Sequence, residues 1–253
     1  MRTAIVIPAR YGSTRLYGKP LLRSTGKYLI EHVYERASEA KSADRVVVAT
    51  DDTRIYSAVE AFGGTAVMTR RDHPSGTDRV AEVAAGLDVD AVINLQGDEP
   101  LFDPAGLDLL AGLLVSDPSA DVATLATPIR DRDTYLSPNC VKVVCDDRGR
   151  ALYFSRSPIP FVRDGSPDFA ADPPRFLLHL GVYAYRRETL LRLAGSPPHP
   201  LEESEKLEQL RVLGLGGTIR VGVVANAHRG VDTPSDYAAF VATCRGGRSC
   251  RAA

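Results

Sequence analysis

The chain lacks an excess of either charge, and it lacks long apolar runs. Its 253 residues include 31 Lys and Arg against 32 Asp and Glu, which leaves a formal net charge of −1. Proteins that bind nucleic acids or membrane surfaces favour a basic excess, so neither kind of partner is expected. No segment approaches the roughly 18 consecutive apolar residues of a membrane helix, and no charged-then-apolar leader precedes the first strand. These absences predict a cytoplasmic protein without membrane contact.

Cysteines are few, and the common nucleotide-binding motifs are missing. The four cysteines, Cys140, Cys145, Cys244 and Cys250, form no C-x-x-C pair and have no histidines nearby at zinc-finger spacing. We therefore expect reduced thiols rather than a zinc site or a disulfide framework. The loop after the first strand is neither a P-loop nor a G-x-G-x-x-G fingerprint, which disfavours ordinary kinase and NAD-binding functions.

The first half of the chain alternates short apolar runs with segments of helical periodicity. Strands are predicted at 4–7, 45–50, 66–68 and 91–95, where consecutive apolar residues are typical of buried parallel strands. Helices are predicted at 28–40, at 55–62, from Thr77 or Asp78 to Gly86, and from Pro104 onward. Repeated β–loop–α units indicate an α/β fold with a parallel sheet and helices on both faces.

The second half has a different pattern. Strands at 141–145 and 151–154 flank a turn at Gly149, which predicts a hairpin. A loop rich in Pro, Asp and Gly spans 158–175, and further strands are predicted at 176–185 and 219–224. Helices are predicted at 201–213 and 234–244, followed by a polar, frayed tail. No linker divides the chain into two independent domains.

The loop after the first strand, residues 8–20, concentrates cations. It carries Arg10, Arg15 and Lys19, hydroxyls at Ser13 and Thr14, and glycines that let backbone N–H groups approach a ligand. These groups are typical of a polyphosphate cradle. A solvated surface loop with three cations is the alternative that this loop, taken by itself, leaves open.

Two aspartates are candidate metal ligands. Asp98 follows the fourth predicted strand, and ligands bind at the carboxyl ends of strands in parallel sheets. Asp232 lies just before the last predicted helix. Mg²⁺ needs only one or two such carboxylates besides substrate oxygens. The alternative for each aspartate is to cap the helix that follows it.

Longer motifs run along nearly the whole chain in a consistent order. They are Ile7-Pro8-Ala9-Arg10-Tyr11-x-Ser13-Thr14-Arg15-Leu16-x-Gly18-Lys19-Pro20, Gln96-Gly97-Asp98-Glu99-Pro100, Asn139-x-Val141-Lys142-Val143-Val144, Ala151-Leu152-Tyr153-Phe154-Ser155-Arg156, His179-Leu180-Gly181-x-Tyr183, Leu207-Glu208-Gln209-Leu210-Arg211-Val212-Leu213 and Gly230-Val231-Asp232-Thr233-Pro234. Together they resemble the 3-deoxy-manno-octulosonate (Kdo) cytidylyltransferase family.

The resemblance implies a fold and a reaction. The fold is a Rossmann-like α/β nucleotidyltransferase domain over 1–245, with a mostly parallel sheet. It has a nucleotide-binding core at about 1–127 plus 214–245, a smaller β-rich elaboration at about 128–213 that binds sugar and dimerises, and a tail at 246–253. The implied reaction joins CTP and Kdo to give CMP-Kdo and pyrophosphate in a homodimeric enzyme, normally for lipopolysaccharide biosynthesis.

The resemblance also assigns roles to residues. Nucleotide binding is expected from the segment 73–77 and from Ala9, Arg10, Ser13, Arg15, Lys19, Ser75, Gly76 and Gln96. Catalytic roles are expected for Arg10, Lys19, Asp98 and Asp232, of which the two aspartates bind Mg²⁺ and thereby activate the attacking hydroxyl. The sugar acid is expected to contact Arg156, His179, Tyr183, Glu208 and Gln209. No side-chain general base is predicted.

Taken alone, some of these side chains have a simpler structural interpretation. Arg156 is typical of a surface arginine, His179 of a satisfied core histidine, and Glu208 of a solvated helix face. The chain also departs from the family pattern: Tyr17 stands where proline is usual, Tyr28 differs from the common form, and so does the segment 161–175. Two alternatives follow, namely a cytidylyltransferase for another ulosonic acid (8-amino-Kdo, sialic acid or a secondary-metabolite octulosonate) and an inactive nucleotide-binding regulatory protein.

Overall fold

The structure, a computed structural model, describes residues 1–13, 15–226 and 230–246. Its strands are β1 (Thr3–Ala9), β2 (Arg45–Thr50), β3 (Ala66–Met68), β4 (Ala91–Asn94), β5 (Val122–Pro128), β6 (Lys142–Cys145), β7 (Ala151–Ser155), β8 (Leu177–Arg186) and β9 (Ile219–Val223). Its α-helices are α1 (Leu29–Ser38), α2 (Thr53–Ala61), α3 (Gly76–Ala85), α4 (Pro104–Ser116), α5 (Arg132–Leu136), α6 (Arg187–Ala194), α7 (Pro200–Glu205), α8 (Gln209–Gly214) and α9 (Pro234–Arg245). Thr14, Cys250 and the predicted frayed tail from 247 onward lie outside the described residues.

The described residues divide into two compact units, 1–108 with 230–246, and 109–226. The first unit contains four parallel strands in the order β3-β2-β1-β4. β1 is the central strand, and its residues Ala4 to Ile7 are fully buried, as their uninterrupted apolar character predicts. The predicted strands and the parallel sheet of this half are confirmed, and so are its predicted helices apart from the start of α3.

The second unit contains a mixed arrangement. β5 pairs antiparallel with β8 and parallel with β9, while β6 pairs antiparallel with β7 and β8. Gly149 turns the β6–β7 hairpin with φ +72°, a left-handed conformation that favours glycine. The hairpin prediction is therefore confirmed. Residues 156–176, all of them described, contain neither helix nor strand, in agreement with the predicted loop.

Two helix predictions are wrong in detail. The N-cap of α3 is Ser75 rather than Thr77 or Asp78, and its hydroxyl accepts a hydrogen bond from the backbone N–H of Asp78. The single helix predicted at 201–213 is in fact α7 and α8, separated at Lys206, which adopts φ +55°. The apolar spacing of both pieces suits one helix, and periodicity does not reveal a left-handed residue between them.

Three elements of the second unit were not predicted at all, namely β5, α5 and α6. β5 has the sequence Val-Ala-Thr-Leu-Ala-Thr-Pro, whose alanines and threonines do not form an apolar run, yet it is buried along most of its length. Cys140, Cys145 and Cys244 form no disulfide bond among the described residues. Among the described residues, no helix has the length and apolar character needed to span a membrane.

Candidate functional site

A cavity of about 300 Å³ opens beside the loop that follows β1. Its wall consists of Pro8, Ala9, Arg10, Gly12, Ser13, Lys19, Pro20, Gly76, Gln96, Gly97 and Asp98. Because β1 and β4 are adjacent parallel strands, the loops after both strands reach the same edge of the sheet. Most of the predicted nucleotide-binding residues therefore share one cavity, whereas Arg15 and Ser75 are not part of its wall.

Two glycines permit this arrangement. A Cβ on Gly97 would lie 2.8 Å from the carbonyl oxygen of Pro8, so only glycine lets the end of β4 pass so close to β1. Gly18 adopts φ +66° and starts a short 3-10 helix, Lys19–Leu21. That turn places Lys19 in the cavity wall, and a side chain at either glycine would disturb the position of the loop.

Arg10 joins the loop to the start of α3. Its Nη2 donates hydrogen bonds to the carbonyl oxygens of His73 and Ser75, both at 2.9 Å. Ser75 caps α3, and Gly76, the first residue of that helix, lies in the cavity wall. The N-terminus of a helix carries unpaired N–H groups and a partial positive charge, so this side of the cavity favours an anion.

Lys19 lies between two carboxylates. Its Nζ is 2.6 Å from Oδ2 of Asp98 and 3.3 Å from Oδ1 of Asp232. Its side chain is only 13% exposed, so water screens these contacts less than it screens a surface ion pair. Arg15, much more exposed, reaches Oδ1 of Asp232 at 3.2 Å. Residues far apart in sequence thus form one charged cluster.

Neither aspartate acts as the helix cap that the sequence allowed. At the start of α4, the backbone N–H of Ala105 donates to Oδ1 of Asp103 instead of to Asp98. At the start of α9, the cap is Thr233, whose hydroxyl accepts from the N–H of Asp236. The carboxylates of Asp98 and Asp232 are therefore directed to Lys19 rather than to a helix end.

The approach of the two aspartates depends on main-chain and core contacts. The backbone N–H of Val231 donates to the carbonyl oxygen of Asp98 at 2.7 Å. Val231 also packs with Leu29 of α1 and with Phe240 and Val241 of α9 in a buried apolar cluster. The segment before α9 is consequently held beside the end of β4.

A third acidic residue, Glu99, is close to this pair and was not predicted. Burial and the nearby charges of Asp98 and Asp232 raise the pKa of Glu99 to about 8. The described residues contain no group of three or more His, Cys, Asp or Glu side chains placed to hold a metal ion by themselves. Asp98 and Asp232 fit the kind of Mg²⁺ site in which two carboxylates act together with phosphate oxygens of the substrate.

Tyr17, the departure from the family pattern, packs at the edge of the loop. Its ring lies edge-on to that of Tyr11, with centroids 5.0 Å apart, and its side chain is largely exposed. The guanidinium of Arg54 lies over the Tyr11 ring at 3.3 Å from the centroid. The added bulk of Tyr17 therefore forms no part of the cavity wall.

In the second unit, two predicted sugar-binding residues are in ring contact. His179 and Tyr183, both on β8, have ring centroids 5.3 Å apart, and Phe154 contacts His179 edge-on at 4.9 Å. Burial lowers the pKa of His179 to about 3, so its ring is neutral at physiological pH. Its Nε2 lies 2.9 Å from Oγ1 of Thr124 on β5.

Glu208 and Gln209 lie at the start of α8. Burial, with smaller contributions from the charges of Tyr185 and Glu208, raises the pKa of Tyr183. Gln209 is only 5% exposed, and its Nε2 is buried without a hydrogen-bond partner among the described residues. A buried amide donor without an acceptor is unfavourable, and this nitrogen is shielded from solvent in this structure.

Arg156 is held by backbone carbonyls. Its Nε donates to Glu205 at 2.7 Å, Nη1 to Pro138 at 3.0 Å, and Nη2 to Lys206 at 3.4 Å. One N–H on each terminal nitrogen has no partner among the described residues, because a guanidinium has five donors. Nε is occupied by its hydrogen bond to Glu205, so the donors that Arg156 has left for a ligand lie on its two terminal nitrogens.

Comparisons with known proteins identify the family of this chain. The family model described as cytidylyltransferase matches residues 4–219. A 3-deoxy-manno-octulosonate cytidylyltransferase of Syntrophotalea carbinolica is 50% identical over 249 residues, which cover 97% of this chain and 100% of that protein. The chain belongs to the 3-deoxy-manno-octulosonate cytidylyltransferase family. A relative of the same name from Syntrophobacter fumaroxidans is 52% identical over 244 residues, which cover 95% of this chain and 96% of that protein.

Similar solved structures support this family assignment. A CMP:2-keto-3-deoxy-manno-octonic acid synthetase complexed with CTP has a TM-score of 0.90 and 47% identity, with coverage of 97% of this chain and 99% of that one. A cytidylyltransferase from Leptospira borgpetersenii, at 18% identity and a TM-score of 0.67, shares the fold. The prediction of a Rossmann-like nucleotidyltransferase fold is confirmed. Cytidylyltransferases of this type generally use a divalent metal ion.

Two residues in the family motifs or beside them have structural roles that were not predicted. Lys142 is fully buried, and its Nζ donates to the carbonyl oxygens of Ser137, Cys140 and Arg156 at 2.9, 2.5 and 2.6 Å. Glu205 accepts from the hydroxyl of Ser155 and from the backbone N–H of Arg156. A lysine within an apolar strand was the only signal in the sequence, and Glu205 is one of several glutamates on its helix.

Proposed function

We propose that the chain transfers CMP from CTP to the anomeric hydroxyl of Kdo, giving CMP-Kdo and pyrophosphate. The observation that carries this proposal is the contact of Lys19 with both Asp98 and Asp232 beside a cationic cavity, in a chain of this family. The cluster combines a cation for phosphate oxygens with carboxylates for a metal ion, which are the groups that nucleotidyl transfer requires.

The cavity of the first unit is the proposed nucleotide site. Ala9, Arg10, Ser13, Lys19, Gly76 and Gln96 line it, and Arg15 and Ser75 belong to the same segments. Arg10 holds the start of α3 in place, so that its N–H groups and the side chains of Arg10 and Lys19 surround the triphosphate with positive charge. The residues 73–77 and Gln96 complete the proposed cytidine contacts.

Asp98 and Asp232 are the proposed ligands of Mg²⁺. When bound, the ion would offset the charge of the phosphates and make the attacking sugar hydroxyl more acidic. Asp98 and Asp232 would hold such an ion, which would leave Lys19 able to contact the phosphate oxygens. No side-chain base is required, because positioning and charge neutralisation supply most of the acceleration in such a transfer.

The proposed sugar residues lie in the second unit. Arg156 offers two remaining N–H donors to the carboxylate of the sugar acid, and Gln209 is a further proposed contact. His179, Tyr183 and Glu208 are the proposed contacts for its hydroxyl groups. In the reaction, the anomeric oxygen bonds to the α-phosphorus as the bond to the pyrophosphate oxygen breaks, and the hydroxyl proton is released.

A substrate panel tests this function. The purified chain with CTP and Mg²⁺ is incubated separately with Kdo, 8-amino-Kdo and sialic acid, and pyrophosphate release is measured together with the mass of the CMP-sugar. We expect the highest kcat/KM with Kdo. A higher kcat/KM with another ulosonic acid would mean that this acid, and not Kdo, is the substrate. Tight CTP binding without turnover on any sugar acid would favour a regulatory protein.

The proposal includes the assembly and location of the enzyme. We propose a cytoplasmic homodimer in which the segment 128–213 carries both the sugar contacts and the dimer interface. Large apolar side chains that are exposed in this segment support it: Leu136, Leu152 and Phe161 are 47%, 62% and 83% exposed.

A further inference from the structure

β8 carries two extra residues where it pairs with β5. Thr124 is opposite Tyr183, but Ala126 is already opposite His179, so one residue of β5 faces three residues of β8. Gly181, within this bulge, adopts φ +68°. The bulge turns the carbonyl group of Val182 toward the hydroxyl of Thr124, which lies 2.7 Å from it.

The Thr124 hydroxyl makes two contacts and has a single proton. A carbonyl oxygen can only accept, so the proton of Thr124 is donated to Val182. The second contact, 2.9 Å to Nε2 of His179, then requires Nε2 to be the donor. Thr124 is completely buried, so water does not offer another partner.

The remaining nitrogen of His179 follows from this assignment. An imidazole that is protonated at Nε2 and neutral overall has a lone pair at Nδ1. Burial keeps the ring neutral by lowering its pKa. Nδ1 has no hydrogen-bond partner among the described residues. It is also not among the side-chain atoms of these residues that lack a partner and are completely shielded from solvent. The ring contacts with Phe154 and Tyr183 hold the plane of the imidazole.

We infer that Thr124 is a positioning residue that fixes His179 as the Nε2–H tautomer, so that Nδ1 is presented to the sugar acid as a hydrogen-bond acceptor. This inference rests on the proposed function and deepens it. An acceptor at this position selects an O–H donor and disfavours the carboxylate, because two acceptors repel each other. His179 therefore orients the sugar acid with a hydroxyl, and not its acid group, toward the imidazole.

Nuclear magnetic resonance of the ligand-free protein tests the tautomer directly. With ¹⁵N-labelled histidine, we expect a protonated-type shift at Nε2 and a lone-pair-type shift at Nδ1 of His179 in the native chain. In Thr124→Val, which has the same shape without the hydroxyl, we expect a mixture of both tautomers. Protonation at Nδ1, or of both nitrogens, in the native chain at neutral pH would overturn the inference, even if no variant folds.

Kinetics test the consequence for the sugar. In Thr124→Val we expect the KM for Kdo to rise about tenfold, as expected for one lost hydrogen bond, with the KM for CTP within about twofold of the native value. Thr124→Ser, which keeps the hydroxyl, should have the native KM for both Kdo and CTP. Thr127→Val is the matched control, because Thr127 lies on the same strand and its hydroxyl donates to a carbonyl, that of Ala225, without a histidine partner.

The outcomes separate this inference from the proposed function. An equal rise of both KM values in Thr124→Val, an unchanged KM for Kdo, or the same effect in Thr127→Val would contradict a positioning role. If the native chain formed no CMP-Kdo, the proposed function would fail. The tautomer measured without ligand, and the response of the Nδ1 resonance to added Kdo, would still decide the inference.

Discussion

At the scale of single residues, the most consequential contact is the one that Lys19 makes with Asp98 and Asp232. Asp98 and Asp232 are close together and repel each other, whereas the raised pKa of Glu99 keeps this third acid mostly uncharged at neutral pH. Lys19 and Arg15 offset the repulsion between the two aspartates. The cluster is therefore assembled before substrate binds, which is the condition under which charged groups contribute most to catalysis.

Asp98→Asn tests this cluster. The amide keeps the shape of the side chain but removes a negative charge. Both the proposed metal binding and the ion pair that holds Lys19 are therefore weakened. We expect turnover with CTP, Mg²⁺ and Kdo to fall on the order of 10²-fold or more, comparable to the loss of one key electrostatic group. Pyrophosphate release measures this.

Asp103→Asn is the control for that experiment. Asp103 accepts a backbone N–H at the start of α4 and takes no part in the cavity wall. This change should lower stability by less than about 1 kcal/mol and leave turnover near the native value. Near-native turnover in Asp98→Asn would remove Asp98 from the proposed metal site.

The depressed pKa of His179 predicts a dependence of stability on pH. The folded chain takes up this proton only near pH 3, whereas the unfolded chain takes it up near 6.5. The unfolded state therefore binds more protons between these values, and the free energy of unfolding falls as pH falls through this range. Between pH 8 and pH 5 the loss from this residue is about 2 kcal/mol.

Urea titrations of the native chain and of His179→Gln at pH 8 and pH 5 measure this effect. The variant lacks the titrating ring, so its loss of stability over the same range should be smaller by about 2 kcal/mol. Equal losses in both proteins would mean that His179 is not held neutral by burial.

At the scale of secondary structure, the break between α7 and α8 positions the end of Arg156. The carbonyl oxygens of Glu205 and Lys206 accept hydrogen bonds from its guanidinium. In a continuous helix, these carbonyl oxygens would instead accept hydrogen bonds from backbone N–H groups of the next turn. The left-handed conformation of Lys206 ends α7 at Glu205, whereas the pattern predicts a helix that continues to residue 213. Local strain at Lys206 is thus the condition for these hydrogen bonds.

Lys206→Gly tests this interpretation. Glycine adopts positive φ without the strain of a side chain, so we expect the free energy of unfolding to rise by about 1 kcal/mol in urea titrations. Glu203→Gly, in the interior of α7, should lower it by about 1 kcal/mol because glycine is unfavourable within a helix. If both changes destabilised the protein equally, the break would not depend on the left-handed residue.

At the scale of the whole molecule, the proposed homodimer is testable from its mass. Sedimentation equilibrium should give twice the chain mass of 27.3 kDa. Leu152→Arg adds a charge to an exposed apolar position on β7, within the proposed interface, and should shift the mass toward one chain. Val115→Arg, at a similarly exposed position on α4 outside 128–213, should leave the mass unchanged. A native mass of one chain would contradict the dimer.

The sequence by itself determined the family, the parallel strands of the first unit and the loop rich in cations. These features are local, because buried parallel strands are continuous apolar runs and phosphate loops are continuous motifs. It also allowed Asp98 and Asp232 to be chosen, although it could not separate a metal ligand from a helix cap.

Only the tertiary structure decided what depends on contacts between distant segments. It placed the carboxylates of Asp98 and Asp232 against Lys19 and divided the predicted helix at Lys206. It also revealed β5, whose alanines and threonines are buried although they form no apolar run. It also placed the hydroxyl of Thr124 against His179. The physical reason is the same in each case: charge, strain and burial at one residue are set by groups that the chain brings there from elsewhere.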